Sequence, residues 1–187
     1  ALALLPRATL MMGVPTFYTR LLGHQGLTRD STRHMRLFVS GSAPLLAETH
    51  RAFEARTGHA ILERYGMTET GMIASNPYEG PRVPGSVGRP LPGVEVRISD
   101  RASGTVLDAG AIGMIEVRGP NVFKGYWRNR EKTAAEKRPD GFFITGDLGR
   151  VDPDGYVTIV GRGKDVVISG GLNVYPKEVE SEIDTID

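Results

Sequence analysis

The chain has 187 residues, of which 40% are hydrophobic, and its 23 basic and 22 acidic side chains leave a net charge of +1. This composition supports a folded core and excludes a disordered chain, and the balanced charge does not indicate a nucleic-acid partner. The absence of cysteine excludes disulfides, thiolate nucleophiles and cysteine-based zinc sites. We expect a cytoplasmic protein without a membrane span, because no apolar run is long enough to cross a bilayer.

The first predicted elements are a helix and a strand. In PTFYTRLL (15–22) the apolar residues have helical spacing, which predicts a helix with Phe17, Leu21 and Leu22 on one face. The short apolar run MRLFVS (35–40) predicts a buried strand. Both elements fit the start of a globular α/β domain.

A tight turn and a second helix–strand pair follow. GSAP (41–44) has the composition of a turn, and LLAETHRAFEARTG (45–58) predicts a helix that buries His50 on its apolar stripe and ends at Gly58. HAILERYG (59–66) predicts the next strand. A strand, a turn, a helix and a strand in this order indicate a parallel sheet.

The second half of the chain is predicted to be mostly antiparallel β. NPYEGPRVPGSVGRPLPG (76–93) is rich in proline and glycine and predicts a loop, while NREKTAAEKRPDG (129–141) predicts a helical insert with a solvated face. Four short strands are predicted: VEVRI (94–98), GMIEVRG (113–119), GFFITGDLGRV (141–151) and GYVTIVGR (155–162). Such a series of strands is typical of a small barrel.

Two turns lie where open α/β sheets bind ligands, at the carboxyl ends of strands. They belong to VSGSAP (39–44) and ERYGMTET (63–70), and their small residues allow an anionic group to approach the backbone. Thr68 offers a hydroxyl and an N–H group to a phosphate, and Glu69 offers a hard oxygen ligand to Mg²⁺. Taken alone, these residues fit a plain loop with a hydrogen-bonded threonine equally well.

Two further stretches could bind substrate. ITGDLG (144–149) places Asp147 at a strand end, where a carboxylate can accept two hydroxyl groups of a ribose, although an ordinary turn aspartate has the same pattern. GRGKDVVISGGLNVYPKEVE (161–180) is basic and contains a Gly-Gly pair, which also fits an interdomain linker. The four histidines lack metal-binding spacing, and neither Ser40 nor Ser42 has the companions of a hydrolase triad.

Taken together and in this order, these motifs resemble those of the adenylate-forming superfamily, which includes acyl-CoA synthetases, adenylation domains and beetle luciferases. The matching motifs are GSAP, YGMTET, TGD and GRGKDVVISGGLNVYPKEVE, and the resemblance extends over essentially the whole chain. It implies part of an α/β sheet subdomain in 1–80 and a small antiparallel β-barrel in 81–160. Residues 161–187 would contain a hinge and the start of a C-terminal lid domain.

The resemblance also implies a nucleotide site. Its expected residues are Gly41, Ser42, Ala43, Tyr65, Gly66, Met67, Thr68, Asp147 and Arg162. In this family pattern Tyr65 would stack near the adenine, and Asp147 and Arg162 would bind the ribose hydroxyls. Thr68 and Glu69 are the expected catalytic residues: Thr68 would bind phosphate, and Glu69 would hold Mg²⁺.

Three residues match the parts of the family that act in the second half-reaction. Lys164 matches the hinge of the small C-terminal domain, and Gly170 and Gly171 match the loop that lines the path of coenzyme A. The family's phosphate-binding loop would precede residue 1 and its catalytic lysine would follow residue 187. We therefore expect this chain to be a piece of a longer ligase that completes neither half-reaction alone.

Within the superfamily the chain is most similar to the malonate–CoA ligases. This branch is indicated by MMGVPTFYTRLL, LFVSGSAPL, ERYGMTET, SNPY and VPGSVG. Malonate carries a second carboxylate, and burying it requires a paired cation and hydrogen bonds. The resemblance implies that Arg20, Arg64 and Ser42 bind that carboxylate, whereas the residue pattern alone fits two surface arginines. The expected reaction converts malonate, ATP and CoA into malonyl-CoA, AMP and pyrophosphate.

Two other interpretations of the sequence stay open. The first is an adenylating enzyme for a different acid, such as methylmalonate, a monocarboxylate or an amino acid. The second, from another class of protein, is a nucleotide-binding or scaffold relative that has the fold without the catalysis. The chemistry of the acid pocket distinguishes an enzyme for another acid from a malonate ligase. The presence of the phosphate-binding loop and the catalytic lysine distinguishes an active enzyme from a non-catalytic relative.

Overall fold

The computed structural model describes residues 2–169 and 172–183. The chain forms two compact units, each built from two stretches of sequence. Unit 1 contains Ala1–Met67 and Ala74–Arg89, and unit 2 contains Thr68–Ile73 and Pro90–Asp187. The three contiguous segments expected from the sequence stay a prediction.

Short strands outnumber helices in the described residues. The strands are β1 (Leu10–Gly13), β2 (Leu37–Ser40), β3 (Leu62–Met67), β4 (Gly71–Ser75), β5 (Arg89–Pro90), β6 (Glu95–Ser99), β7 (Gly113–Arg118), β8 (Phe143–Val151), β9 (Val157–Arg162), β10 (Val167–Ser169) and β11 (Leu172–Val174). The helices are α1 (Pro15–Leu22), α2 (Arg29–Thr32), α3 (Ala47–Thr57), α4 (Arg130–Ala135) and α5 (Pro176–Ile183), with 3-10 helices at Leu2–Arg7 and Gly163–Asp165. No helix among these described residues is long and apolar enough to cross a membrane.

The predicted parallel sheet forms the centre of unit 1. β1 pairs in parallel with β2, and β2 pairs in parallel with β3. All four residues of β2 are buried, as expected for a strand covered on both faces. The strand β1 was not predicted, because its apolar run LMMG has only four residues and lies between Pro6 and Pro15, which do not favour a strand.

Helix α1 forms where the sequence predicts it, but its buried face differs from the prediction. Phe17 is 47% exposed, whereas Tyr18 and Leu21 are buried in the core. The Tyr18 hydroxyl donates a hydrogen bond to the carbonyl oxygen of Val39 at 2.6 Å, so the polar end of this side chain is satisfied inside the protein. Of the three residues predicted to share a face, Leu21 is buried and Phe17 is largely exposed.

Helix α3 confirms the predicted apolar stripe. His50 and Phe53 are fully buried, and the Phe53 ring packs edge-on against Tyr18 and Phe38, with centroids 5.3 and 4.9 Å away. The helix stops at Gly58, whose φ of 79° is left-handed and therefore suits glycine. This packing fixes α3 against the parallel strands.

Unit 2 contains an antiparallel sheet in the order β6-β7-β8-β9. The predicted small barrel is not closed within the residues that the structure describes. A barrel closes when its first and last strands pair, whereas β6 and β9 are the two edges of this sheet. The apolar side chains of Ile115, Val117 and Phe143 are buried on it.

A charged network is buried at the centre of this sheet. Glu116 in β7 is fully buried, and its carboxylate accepts hydrogen bonds from Ser99, Arg97 and Arg138 at 2.8 Å each. Arg97 also pairs with Asp140 at the surface. Burial alone would raise the pKa of Glu116, but the hydrogen bonds from these three partners outweigh it and hold the pKa below its ordinary value of 4.5.

Two smaller elements complete unit 2. Helix α4 buries none of its residues, which confirms the predicted solvated insert. The stretch GRGKDVVISGGLNVYPKEVE, which also fitted a linker, contains the antiparallel pair of β10 and β11, in which Val167 faces Val174 across the strands. Short strands of three residues lack the alternation that identifies longer strands in a sequence.

Replacing Glu116 with glutamine is expected to destabilise the protein by about 3 kcal/mol at neutral pH, because two arginines lose their buried carboxylate partner. Since the folded pKa of Glu116 is depressed, its contribution is fully present above 4.5 and is lost as pH falls through the folded pKa. Denaturant unfolding of wild type and Glu116→Gln as a function of pH should give free energies that converge below pH 4.5.

The matched control is Glu95→Gln, which removes the partner of Arg118 in a pair whose two side chains are both exposed. This variant should unfold like wild type at each pH, because exposed ion pairs contribute little. A Glu116→Gln variant as stable as wild type at neutral pH, or a difference unchanged by acid, would contradict the role given to this network.

Candidate functional site

The parallel register of β2 and β3 brings the GSAP turn beside Arg64. Ser40 pairs with Glu63, so the chain leaves the sheet at Gly41 next to the following residue of β3. A Cβ atom added at Gly41 would lie 3.5 Å from both the Cγ and the carbonyl oxygen of Arg64. The Gly41 N–H group donates to the carbonyl oxygen of Gly13 at 3.3 Å, which fixes the start of the turn.

Ser42 has an unusual backbone conformation at the centre of this turn. Its φ is 67°, in the left-handed region of the backbone that residues other than glycine and asparagine rarely adopt. Ser42 and its neighbour Ala43 are both exposed. Strain of this kind is concentrated at ligand sites, where the surrounding structure maintains it.

The end of β3 alternates buried and partly exposed residues. Glu63 and Tyr65 are buried, while Arg64, Gly66 and Met67 are partly exposed. Alternation follows from the strand period of two, which points successive side chains to opposite faces. Arg64 therefore lies on the opposite face of β3 from the buried carboxylate beside it.

Arg20, the other predicted partner of a substrate carboxylate, lies in the last turn of α1. It is exposed, and within the described part of the chain it makes no hydrogen bond or ion pair. No such contact therefore joins Arg20 to Ser42 or to Arg64. Its guanidinium has the free donors that a carboxylate ligand needs.

A buried contact between a histidine and a carboxyl group braces β3 next to Arg64. His50 Nδ1 lies 2.9 Å from Glu63 Oε1, and the Gly85 N–H group donates to the same oxygen at 3.2 Å. Burial raises the pKa of Glu63, while the hydrogen bond and charge of His50 act in the opposite direction. The sequence analysis placed His50 in the core, and the structure supplies its partner.

The VPGSVG stretch is anchored to the same strand. The Asn76 side-chain amide donates to the carbonyl oxygens of Glu63 at 3.2 Å and Ser86 at 2.7 Å. A Cβ atom at Gly88 would come within 1.9 Å of the Ser75 carbonyl carbon, so only glycine fits there. These contacts fix the segment from Val83 to Gly88 within unit 1.

Thr68–Thr70 form a tight turn between β3 and β4. Thr68 is exposed, Glu69 is partly exposed, and Thr70 is fully buried. The Tyr126 hydroxyl lies 3.1 Å from Glu69 Oε1. Sequence analysis predicted the turn but not β4, because GMIAS is short and adjoins the proline-rich loop.

Asp147 and Arg162, both predicted to bind the ribose, meet in unit 2. They face each other across the pairing of β8 and β9, and Arg162 Nε lies 2.9 Å from Asp147 Oδ1. Asp147 is buried, whereas 55% of the Arg162 side chain is exposed. The pair presents a carboxylate held in place by a cation, with the rest of the arginine open to a ligand.

The predicted hinge and coenzyme A residues lie in the last part of the chain. Lys164 is exposed within the 3-10 helix that follows β9. Gly170 and Gly171 lie outside the described residues, so their roles stay predictions.

The residues present fit a magnesium ion bound together with a nucleotide. Mg²⁺ is usually held by one or two carboxylates plus substrate phosphates. Within the described residues no group of three or more acidic or histidine side chains could hold a metal by itself. Glu69 supplies one carboxylate, and Tyr126 is the described hydrogen-bond donor to its side chain.

Sequence reasoning missed Tyr126 and Glu136. The Tyr126 hydroxyl also lies 2.6 Å from Glu136 Oε2, so it stands between two carboxylates. Burial, followed by the hydrogen bonds to Glu136 and Glu69, raises the pKa of Tyr126, which stays protonated. Glu69 and Tyr126 are 57 positions apart in the chain, and no local motif connects them.

These sites occur in a chain that belongs to the AMP-binding enzyme family, since the family model matches residues 5–127. This confirms the superfamily that the motifs indicated. A malonate–CoA ligase from Arabidopsis thaliana is 43% identical over 184 residues, which are 94% of this chain and 30% of that ligase. The chain therefore spans about a third of the length of the curated relatives it matches.

Solved structures give the same family. The crystal structure of ATP-bound MatB from Rhodopseudomonas palustris is 68% identical with a TM-score of 0.96, and the match covers 100% of this chain and 37% of MatB. A malonyl-CoA ligase in a ternary product complex, with methylmalonyl-CoA and AMP bound, is 44% identical with a TM-score of 0.76. That match covers 96% of this chain and 39% of the ligase. The resemblance to malonate–CoA ligases is thereby confirmed.

The left-handed backbone at Ser42 predicts an unusual order of stability. Ser42→Gly should be more stable than Ser42→Ala by about 1 kcal/mol, because alanine retains the steric cost of positive φ and glycine does not. Denaturant unfolding measures the difference. At Ala43, where φ is not positive, the Ala43→Gly change should lower stability instead. An alanine variant at position 42 as stable as the glycine variant would contradict the strained turn.

Proposed function

We propose that this chain is part of an ATP-dependent acid–CoA ligase whose substrate is malonate. The reaction would convert malonate, ATP and CoA into malonyl-CoA, AMP and pyrophosphate through a malonyl-adenylate. The observation that carries the proposal is the register of β2 and β3, which sets the GSAP turn, at the carboxyl end of β2, against Arg64 of β3. Ligands bind at this end of such sheets.

The Arg64 cation beside this turn supports a diacid as the substrate. Arg64, Arg20 and the Ser42 hydroxyl would bind the distal carboxylate, leaving the other carboxylate to react. A guanidinium grips a carboxylate through two parallel hydrogen bonds, and the pairing offsets the desolvation of both charges. Monocarboxylic acids lack the second carboxylate that these residues would bind, which would provide selectivity against them.

The nucleotide would be held by the residues that the motifs indicated. Gly41, Ala43, Gly66 and Met67 are small or flexible residues that admit the adenine close to the backbone, with Tyr65 beside it. Thr68 would donate to a phosphate oxygen. The Asp147 carboxylate would accept the ribose hydroxyls, and Arg162 would restrain it and donate to the same sugar.

Glu69 would hold Mg²⁺ together with the phosphates of ATP. When bound, this ion neutralises the phosphate charge that repels an approaching carboxylate. The chain's own contribution is a carboxylate oriented by the Tyr126 hydroxyl and placed one residue after Thr68. This arrangement orients the nucleotide before the reaction begins.

Two displacements would follow at the bound substrates. In the first, a malonate oxygen attacks the α-phosphorus, the new O–P bond forms and pyrophosphate leaves. In the second, the CoA sulfur attacks the acyl carbon after losing its proton, and AMP leaves with the bonding electrons. Lys164 would act as the hinge between the half-reactions, and Gly170 and Gly171 would line the path of CoA.

Methylmalonate is a second candidate acid. It has the same two carboxylates, and the related malonyl-CoA ligase structure contains methylmalonyl-CoA. The residues proposed to bind the distal carboxylate would contact the same group in either acid and would accept both.

We propose the cytoplasm as the compartment, which the cysteine-free composition supports.

The test of this function is ATP–pyrophosphate exchange by the full-length protein with a panel of acids. Malonate should give the highest exchange, methylmalonate should follow, and acetate, butyrate and amino acids should give little. Exchange with a monocarboxylate but not with malonate would contradict the diacid proposal. Absence of exchange with every acid, in a folded protein that binds ATP, would instead support a non-catalytic relative.

Arg20→Ala should lower kcat/KM for malonate about 100-fold, because a charge-assisted hydrogen bond contributes roughly 1.5–3 kcal/mol and each 1.36 kcal/mol is tenfold in rate. The same variant should tolerate acids without a distal carboxylate better than wild type does. Arg51→Ala, which removes an exposed arginine from α3, is the matched control and should behave like wild type. Unchanged malonate kinetics in Arg20→Ala would show that Arg20 does not bind the distal carboxylate.

A further inference from the structure

A segment distant in sequence holds the backbone around Glu69. The Phe123 N–H group donates to the Glu69 carbonyl oxygen at 2.7 Å. The Asn121 side-chain amide donates to the carbonyl oxygens of Thr70 at 2.8 Å and Met72 at 3.1 Å. Three hydrogen bonds from residues 121–123 therefore fix the turn that carries the proposed metal ligand.

The side chain of Glu69 is held from the same segment, through Tyr126. The Tyr126 hydroxyl lies 3.1 Å from Glu69 Oε1 and 2.6 Å from Glu136 Oε2. A phenol has one hydrogen, so it donates to one of these carboxylates at a time. The shorter contact, in the range of a charge-assisted O–H···O bond, belongs to Glu136. Glu136 can therefore keep the hydroxyl in place when Glu69 turns its lone pairs toward a cation.

The ring of Tyr126 is itself locked. The backbone N–H group of Tyr126 donates to the Thr133 hydroxyl at 3.0 Å. The Phe123 ring packs edge-on against the Tyr126 ring, with the two centroids 4.8 Å apart. The Lys132 ammonium lies 4.1 Å from the ring centroid and 3.9 Å from Glu136 Oε1. Because these contacts hold the backbone and ring of Tyr126, its hydroxyl can orient a carboxylate more accurately than a mobile hydroxyl could.

The charges around this hydroxyl favour a cation at Glu69. Glu69 and Glu136 are both within hydrogen-bond distance of one oxygen atom, so their negative charges repel. Lys132 offsets part of this repulsion on the Glu136 side. A divalent ion bound by Glu69 would relieve the rest of it.

We propose that Tyr126 and Glu136 are positioning residues for Glu69: Glu136 holds the Tyr126 hydroxyl, and that hydroxyl sets the orientation of the carboxylate that binds the divalent cation. This inference rests on the metal-binding role proposed for Glu69. Partners behind a metal ligand commonly change metal affinity or activity by 10–100-fold when they are removed.

The test is a titration of the full-length protein with Mn²⁺, followed by electron paramagnetic resonance, in the presence of a non-hydrolysable ATP analogue. Tyr126→Phe removes the hydroxyl and keeps the ring, so Mn²⁺ affinity should fall about 10-fold. The matched control is Tyr78→Phe, which removes a hydroxyl from an exposed tyrosine and should bind Mn²⁺ like wild type. Unchanged Mn²⁺ affinity in Tyr126→Phe would overturn the proposal.

Glu136 gives an independent test of the same arrangement. Glu136→Ala removes the group that holds the hydroxyl, whereas Glu136→Gln retains an oxygen that accepts the phenol hydrogen. Mn²⁺ affinity should therefore fall further in Glu136→Ala than in Glu136→Gln. Equal losses in the two variants would show that the charge of Glu136 matters and its hold on Tyr126 does not, which overturns the positioning role.

Glu69→Gln separates failure of this inference from failure of the proposed function. If Glu69→Gln leaves Mn²⁺ affinity unchanged, the metal-binding role itself is wrong. If Glu69→Gln weakens Mn²⁺ binding and Tyr126→Phe does not, the positioning role alone is wrong. Saturating Mg²⁺ should restore pyrophosphate exchange in Tyr126→Phe, and failure of this rescue would show damage to the fold instead of lost positioning.

Discussion

The parallel register of β2 and β3 is the constraint on which the candidate acid site depends. Ser40 pairs with Glu63, and this single offset places Gly41 against Arg64. Because side chains alternate along a strand, the same register turns Glu63 inward to His50 and Arg64 the other way. A slip of one residue would exchange these two faces, burying a cation and exposing the carboxylate that braces the strand.

The buried carboxylates of the chain differ from Glu69 in the groups that they contact. Glu63 and Glu116 are buried with basic partners, and Asp147 is buried against an arginine that is itself exposed. At Glu116 the partners outweigh the cost of burial and lower the pKa, whereas at Glu63 burial outweighs the partner and the pKa is raised. Glu69 is different, because the neighbour of its side chain is the hydroxyl of Tyr126, which a second carboxylate shares. A carboxylate in that setting attracts a cation, which is the role proposed for it.

Local patterns predicted much of the fold. The buried run of β2, the apolar stripe of α3 and its glycine stop at Gly58 are decided by residues close together in sequence, and all three are confirmed. Positions 17 and 18 show the limit of local patterns: both residues are aromatic, and the buried one, Tyr18, donates a hydrogen bond to Val39, which is distant in sequence. Closure of a barrel likewise depends on whether edge strands meet, which no single segment encodes. For the candidate site, motifs indicated Glu69 and Asp147, but the contact with Tyr126 depends on tertiary folding.

The proposal that depends most on this register is that the Arg64 cation, within β3, selects a diacid. Its most direct test is a crystal structure of the full-length protein with a non-hydrolysable analogue of malonyl-adenylate. We expect the Arg64 guanidinium about 3 Å from the distal carboxylate oxygens, at hydrogen-bonding distance. A distal carboxylate that contacts solvent alone, or that is bound by other cations while Arg64 points away, would contradict it.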